Sequence, residues 1–420
     1  MRTLIQGGGI YVPAADATNY NPLWGNFAWQ TGPTGCYQVV PCDGKFSHLY
    51  VWTRGEPGAI GSGKSRTLNL YVNGAASALS ALIDEGTMYA EDTTDEVSVS
   101  AGDLVCIEHV PTNTPDVYET LWCVIFTAST GGQSLVLGCT DASTAGQLSS
   151  SATEYANCGT GGARPSGTSS RYREPVPTSG KFSALYLDLS SAPDPGGSSG
   201  YTFTLQVNGT DTALAVTITG DSTTGSSVSD VAISAGDIIL LKIAPVGTPS
   251  VTPWAHWGLR WEPDTAGQGI VLGSTYDLQH ATNTEYVTPT TWSISPWATT
   301  TPSRAQPLWE ATVKNFYVIL ETAPGAGKSR TFTLRKRDQL GAEEDTDLTL
   351  TISDTDTSGS DTTHEFVASD YDQLVVKTVP SGTPDDNSHT GWGYVVELPV
   401  VPPAVVGGNP ADVLVKNAFI

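Results

Sequence analysis

Residues 58–65 (GAIGSGKS) have the composition and spacing of a phosphate-binding loop. In a working loop of this kind the chain runs from a strand into a helix, whose N-terminal N–H groups surround the phosphates. Here residues 66–72 alternate between polar and apolar side chains, as in a strand, and a related turn at residues 195–200 has no lysine. The sequence therefore predicts a glycine-rich turn that binds no nucleotide.

Residues 354–361 (DTDTSGSD) combine carboxylates with hydroxyls, which is typical of oxygen-rich calcium loops. The closing glutamate of an EF-hand is missing and the segment lies between predicted strands. A solvated acidic turn is therefore the simpler interpretation, with a calcium site near Asp354 as the alternative. The six histidines are isolated, and neither H-E-x-x-H nor G-x-S-x-G occurs. We predict no catalytic residue, no metal and no cofactor.

The six cysteines all fall within the first 158 residues, and their spacing suggests three candidate disulfides: Cys36 with Cys42, Cys106 with Cys123, and Cys139 with Cys158. The second pair is favoured, because residues 104–110 and 121–126 resemble the two arms of one hairpin. The alternative is six reduced, buried thiols, since disulfides are rare in proteins of the cytoplasm.

The elements that would position these residues recur along the chain. One strand-like string occurs three times, at residues 44–51 (GKFSHLYV), 180–187 (GKFSALYL) and, more loosely, 313–318 (VKNFYV). A tight hairpin is predicted after two of the copies by Asn73-Gly74 and Asn208-Gly209. Equivalent prolines give the length of the repeat: Pro111 and Pro245 are 134 residues apart, and Pro245 and Pro380 are 135 residues apart.

About eight strands per copy, with frequent turn signals, predict an all-β protein of three tandem β-sandwich domains, either jelly-roll-like or immunoglobulin-like. The expected domains are residues 1–132, 133–266 and 267–408, followed by a C-terminal tail at 409–420. Three similar domains can pack around a pseudo-threefold axis or form a linear string. We favour the compact arrangement, because the connecting segments contain tryptophans, which flexible linkers seldom do.

Nine of the eleven tryptophans form two sets. Those in the closing strand of each copy are expected in the core: Trp122, Trp257, Trp261 and Trp392. Those in the long connecting segments are candidate interface aromatics: Trp24, Trp29, Trp292, Trp297 and Trp309. Indoles in connecting segments can stack on sugar rings or anchor a neighbouring subunit, and aromatic enrichment at protein interfaces favours the second role.

The charge of the chain argues against two classes of partner. Lys and Arg total 20 against 43 Asp and Glu, and the resulting net charge of -23 would repel a phosphate backbone, so we expect neither nucleic acid nor an anionic membrane as a partner. No stretch approaches the roughly 18 apolar residues of a membrane span. Residues 1–9 have no apolar signal-peptide region, so we expect synthesis in the cytoplasm without a signal peptide.

The repeated pattern Gly-Lys-Phe-Ser-x-Leu-Tyr, Val-Asn-Gly, Ser-Ala-Gly-Asp and Val-Pro-x-Gly-Thr-Pro resembles β-sandwich repeats of tailed-bacteriophage structural proteins, over residues 44–126, 180–262 and 313–397. The resemblance implies a non-enzymatic virion protein that decorates the capsid and binds the major capsid protein or other virion proteins. The alternative is a tail-associated protein that binds a receptor or carbohydrate, such as a host surface glycan.

Overall fold

The computed structural model describes residues 1–9, 11–54, 60–275, 277–290, 297–300, 304–338, 341–385 and 388–399. Within these ranges the chain consists of β-strands, turns and three short 3-10 helices at Pro33–Gly35, Thr144–Gly146 and Ser169–Tyr172. The prediction of an all-β protein is confirmed. The predicted C-terminal tail at 409–420 lies outside the described residues.

Ten strands form the first sandwich: β1 (Arg2–Gly9), β2 (Asn19–Asn21), β3 (Gly25–Phe27), β4 (Gln38–Val39), β5 (Gly44–Thr53), β6 (Ser65–Val72), β7 (Ala75–Ile83), β8 (Tyr89–Val99), β9 (Leu104–Thr112) and β10 (Thr120–Ala128). One sheet has the order β3-β1-β10-β5-β8. The facing sheet has the order β2-β9-β6-β7, and β4 also pairs with β9.

Eleven strands form the second sandwich: β11 (Ser134–Thr140), β12 (Glu154–Ala156), β13 (Thr160–Ala163), β14 (Glu174–Pro175), β15 (Gly180–Leu189), β16 (Gly200–Val207), β17 (Thr210–Thr219), β18 (Thr224–Ser227), β19 (Val231–Ile233), β20 (Ile238–Val246) and β21 (Ala255–Pro263). The sheet orders are β13-β11-β21-β15-β18 and β12-β20-β16-β17. Strand β19 pairs with β15, and β14 pairs with β20.

Nine strands form the third sandwich: β22 (Gln268–Thr275), β23 (Glu285–Val287), β24 (Gln306–Pro307), β25 (Ala311–Leu320), β26 (Gly325–Arg337), β27 (Glu343–Asp354), β28 (Ser358–Ala368), β29 (Gln373–Ser381) and β30 (Thr390–Glu397). The sheet orders are β22-β30-β25-β28 and β23-β29-β26-β27, and β24 pairs with β29.

The same topology occurs in all three sandwiches. When the eight main strands of each are numbered along the chain, one sheet has the order 1-8-3-6 and the other 2-7-4-5. This is the jelly-roll order, with two interlocked Greek keys, and it decides between the two topologies that the sequence left open. The tight hairpins are also confirmed, because Asn73 and Gly74 both have positive φ angles, of 48° and 87°, between β6 and β7.

Three short strands, β4, β14 and β24, connect neighbouring sandwiches and are called the latch strands here. Strand β4 lies against β11, β15 and β21 of the second sandwich, and β14 lies against β22, β25 and β30 of the third. Strand β24 lies against β1, β5 and β10 of the first, which closes the ring. The sandwiches therefore have a pseudo-threefold arrangement rather than that of a linear string. We call the contacts the first (1–2), second (2–3) and third (3–1) seams.

The opening strands β1, β11 and β22 are buried on both faces, which explains their near-continuous apolar sequences. Alternate residues pack into their own sandwich, namely Ile5, Val136 and Val271. The intervening residues pack into the core of the preceding sandwich, namely Leu4, Leu135, Leu137, Ile270 and Leu272. Near the axis, the Oγ1 of Thr3 and the Oγ of the equivalent Ser134 are hydrogen-bonded at 2.7 Å.

Candidate binding surfaces

Each latch strand begins with a fully buried amide or carboxyl side chain that holds the preceding loop. The Gln38 Oε1 accepts a hydrogen bond from the Trp24 N–H at 2.8 Å, and its Nε2 donates to the Thr160 carbonyl of the second sandwich at 3.0 Å. Gln306 repeats the first contact by accepting from the Thr290 N–H at 3.0 Å. These side chains were missed at the sequence level, although each lies a few residues before the repeated strand.

Glu174 is the acidic member of this set. Its Oε2 accepts the N–H groups of Cys158 and Gly159 at 2.7 and 3.2 Å. Its Oε1 is buried and has no hydrogen-bond partner within the described part of the chain. Burial raises the pKa of Glu174 to about 8, against the lowering effect of the two N–H groups. Burial of the second latch therefore favours the protonated form of this carboxyl group.

The tryptophans of the closing strands, Trp122, Trp257, Trp261 and Trp392, are fully buried, as predicted. An equivalent indole hydrogen bond occurs in each sandwich, to the carbonyls of Leu23, Cys158 and Pro289 at 2.8–2.9 Å. The opening strands have glycine opposite these indoles, because a Cβ at Gly138, for example, would lie 2.1 Å from the Trp257 Nε1.

The candidate interface aromatics that the structure describes pack against this chain's own residues. Trp24 is buried in the core of the first sandwich, and Trp29 packs on Trp122 with ring centroids 5.8 Å apart. Trp297 lies 6.2 Å from Trp392 in the third sandwich. Trp292 lies outside the described residues.

Trp309 contacts residues of the neighbouring sandwich. Its Nε1 donates to the His48 carbonyl across the third seam at 2.8 Å, and its ring packs against Tyr50 and Tyr371. The rings of Tyr50 and Tyr371 pack together with centroids 4.7 Å apart and planes tilted by 41°. The third seam therefore has an aromatic centre, which the tryptophan content of the connectors had suggested.

The predicted disulfides are absent, because all six cysteines are free, buried thiols. The hairpin argument for Cys106 and Cys123 was wrong: β9 pairs with β2, β4 and β6, whereas β10 pairs with β1 and β5 in the opposite sheet. In a jelly roll, the seventh and eighth strands lie in opposite sheets, so β9 and β10 do not form a hairpin. Local spacing does not reveal this arrangement.

Cys36 with Cys42, and Cys139 with Cys158, are also unpaired. Burial raises the pKa of every cysteine thiol, that of Cys42 to about 12. Cys42 lies at the first seam, where its Sγ is 4.0 Å from the Ser134 carbonyl. Such thiols are poor nucleophiles and poor metal ligands in the native protein.

The phosphate-loop pattern continues directly into a strand. Gly58 and Ala59 lie outside the described residues, Gly61 and Gly63 have φ angles of 92° and 67°, and β6 begins at Ser65. A phosphate site of this class needs a helix N-terminus after the lysine, and β6 occupies that position.

Two carboxylates of the candidate calcium segment are hydrogen-bonded to the backbone. The Asp354 Oδ1 accepts the Gly327 N–H at 2.7 Å. Asp361 accepts the N–H groups of Thr349, Thr363 and His364 at 3.1–3.2 Å. Within the described ranges, no three His, Cys, Asp or Glu side chains are grouped in a way that could hold a metal ion.

Basic residues 335–337 of β26 are paired with carboxylates. Arg335 contacts Glu343 and Asp345 at 3.1 and 3.2 Å, and Lys336 contacts Glu344 at 2.8 Å. The guanidinium of Arg337 lies 5.7 Å from the Trp52 ring centroid across the third seam. This cluster therefore contributes to internal ion pairs and to the seam.

A cleft of about 400 Å³ lies in the first seam. Gly102 and Leu104 of the first sandwich line one wall, and Tyr186, Asp188 and Ser226 of the second line the other. The Asp188 Oδ2 is 2.8 Å from the Nδ1 of the fully buried His256. The cleft is thus a concave surface with one aromatic ring and a few polar groups, the usual composition of a binding site.

The sequence matches no protein-family model, and the comparison with curated proteins found no relative. Among the described residues, no helix is long and apolar enough to cross a membrane.

Proposed function

We propose that this chain is a non-enzymatic virion structural protein that binds the outer surface of a capsid where three capsid subunits meet. The closed pseudo-threefold ring is the observation that carries the proposal. A threefold site on an assembly offers three equivalent contacts, and a single chain with three similar sandwiches can meet all of them at once.

The three copies differ where a true homotrimer would be identical. The third seam contains Trp309 and Tyr371, the second contains Glu174, and the first contains an open cleft. One chain can therefore contain three non-identical seams while keeping the threefold geometry. The net charge of -23 supports a protein partner rather than the packaged nucleic acid.

The stoichiometry of binding tests this proposal. Capsids assembled without this chain are mixed with the purified protein, and bound chains are counted by quantitative mass spectrometry and located by electron microscopy. We expect saturation at one chain per threefold position on the outer surface. Binding at tail structures only, or three chains per threefold position, would contradict the proposal.

The second candidate function is carbohydrate binding by a tail-associated protein. A second cleft, of about 470 Å³, is lined by Ser190, Ser250, Thr252 and the half-buried Trp254. An indole ring together with hydroxyl groups can bind a sugar by stacking and hydrogen bonding. A glycan array separates the two functions. Glycan binding that Trp254→Ala abolishes would favour this second function.

A further inference from the structure

Gly102, Gly236 and Tyr371 occupy the same position in the three sandwiches. Each lies in the turn before the seventh main strand and donates its N–H to a carbonyl of the segment that follows the latch: Val40 (2.8 Å), Val176 (2.8 Å) and Leu308 (3.0 Å), respectively. Their φ angles are 97°, 89° and 72°. The backbone is therefore the same in all three, and only the third copy has a side chain there.

The residue that faces this turn across each seam is also equivalent. Tyr50, Tyr186 and Tyr317 pair with Cys123, Gly258 and Gly393 on the last strand of their sandwiches. On the other side they pair with Glu91, Ser226 and Ser360. Each seam thus places one tyrosine ring opposite one turn.

The three seams fill the space between ring and turn differently. In the third seam the Tyr371 ring lies 4.7 Å from the Tyr50 ring, and its hydroxyl donates to the Glu91 carboxylate at 2.5 Å. In the second seam the turn itself closes the space, because a Cβ on Gly236 would lie 3.4 Å from the Tyr317 ring.

In the first seam the space is open. A Cβ on Gly102 would have no atom within 4 Å, and the cleft of about 400 Å³ lies between this turn and Tyr186. Ser226 occupies the register position of Glu91, so the strand beside Tyr186 has a hydroxyl where the strand beside Tyr50 has a carboxylate.

We propose that the first-seam cleft binds a tyrosine side chain of a partner protein, packed against Tyr186 as Tyr371 packs against Tyr50. In the third seam, a phenol ring fits between the equivalent turn and the equivalent tyrosine, Tyr50. The aromatic packing supplies the contact area, and Ser226 and Asp188 supply acceptors for the phenol hydroxyl. This binding site does not depend on the capsid proposal.

The test uses the full chain and N-acetyl-L-tyrosinamide as the ligand, with binding followed by saturation-transfer NMR. N-acetyl-L-alaninamide and a methyl glucoside are the comparison ligands. We expect saturable binding of the tyrosine derivative alone. Tyr186→Ala should weaken it about tenfold, and Gly102→Tyr, which copies the third seam, should abolish it.

Tyr317→Ala is the matched control, because the equivalent space in the second seam is closed, and it should bind like the wild type. Absence of saturable binding, wild-type affinity in Tyr186→Ala, or preference for the glucoside would each overturn the proposal. If Tyr317→Ala weakened binding of the tyrosine derivative as much as Tyr186→Ala does, the proposal would also be overturned. If Gly102→Tyr does not fold, Tyr186→Ala and its control still decide the question.

Discussion

The ring of Tyr371 lies 4.7 Å from the ring of Tyr50, across the seam that joins the third sandwich to the first. The equivalent positions in the first seam are Gly102 and Tyr186, which leave a cleft between them. The same backbone arrangement thus occurs in a filled seam and in an open one. We expect the two seams to contribute differently to the free energy of unfolding.

Replacement of Tyr371 by alanine should lower the free energy of unfolding by about 1–3 kcal/mol, because the variant loses the packing on Tyr50 and Trp309 and the bond to Glu91. Urea denaturation is the measurement. Tyr186→Ala is the control and should cost less than about 0.5 kcal/mol, since its ring is half-buried beside an open cleft. Equal losses in the two variants would contradict the comparison of the seams.

Glu174 should make stability fall as the pH rises. Its pKa is raised from 4.5 to about 8 by burial, so between these values the folded chain holds a proton that the unfolded chain has released. Stability is therefore lost progressively from about pH 4.5 to about pH 8 and levels off above that. At about 1.4 kcal/mol per pKa unit, the upper limit of this effect is about 5 kcal/mol.

Glu174→Gln should remove this contribution, because an amide keeps the acceptor for Cys158 and Gly159 and does not ionise. The measurement is the difference between wild type and variant in urea denaturation at pH 5 and pH 8.5, which cancels the other titrating groups. Gln38→Glu is the converse variant and should introduce a similar dependence. A difference that is constant between the two pH values would disprove the assignment.

The six thiols should be unreactive in the native protein and reactive after unfolding, because all are buried and their pKa values are raised. Iodoacetamide labelling followed by intact-mass analysis measures this. We expect no label in buffer and six labels in guanidinium without reductant. Fewer than six labels under the denaturing, non-reducing condition would reveal a disulfide.

Lys64→Ala should leave the melting temperature unchanged with or without Mg-ATP, because strand β6 follows the lysine where a nucleotide site requires a helix. Differential scanning fluorimetry is sufficient for the comparison. An ATP-dependent increase in the wild type that the variant lacks would show that the glycine-rich turn binds nucleotide after all.

Much of the fold was predictable because its determinants are local and repeated. The alternation around Leu68 and Leu70, the Asn73-Gly74 turn and the 134-residue spacing of Pro111 and Pro245 all come from local sequence patterns that are repeated along the chain. The jelly-roll order was not predictable, because it depends on which sheet each strand joins. The same reason explains the error about Cys106 and Cys123.

The seams were only partly visible in the sequence. Trp309 was identified because a tryptophan in a polar connecting segment is unusual. Gln38, Glu174 and Gln306 look like ordinary surface residues in the sequence, and only the packing of the sandwiches into a ring shows that they are buried. The change from Gly102 to Tyr371 lies within a repeated turn, but its meaning required the opposing tyrosines.

The closed ring is the central claim, and small-angle X-ray scattering of the free protein tests it most directly. A compact body of 420 residues should have a radius of gyration of about 22 Å, with a single-peaked distance distribution. A clearly larger radius, with the extended distance distribution of three separate beads, would contradict the account.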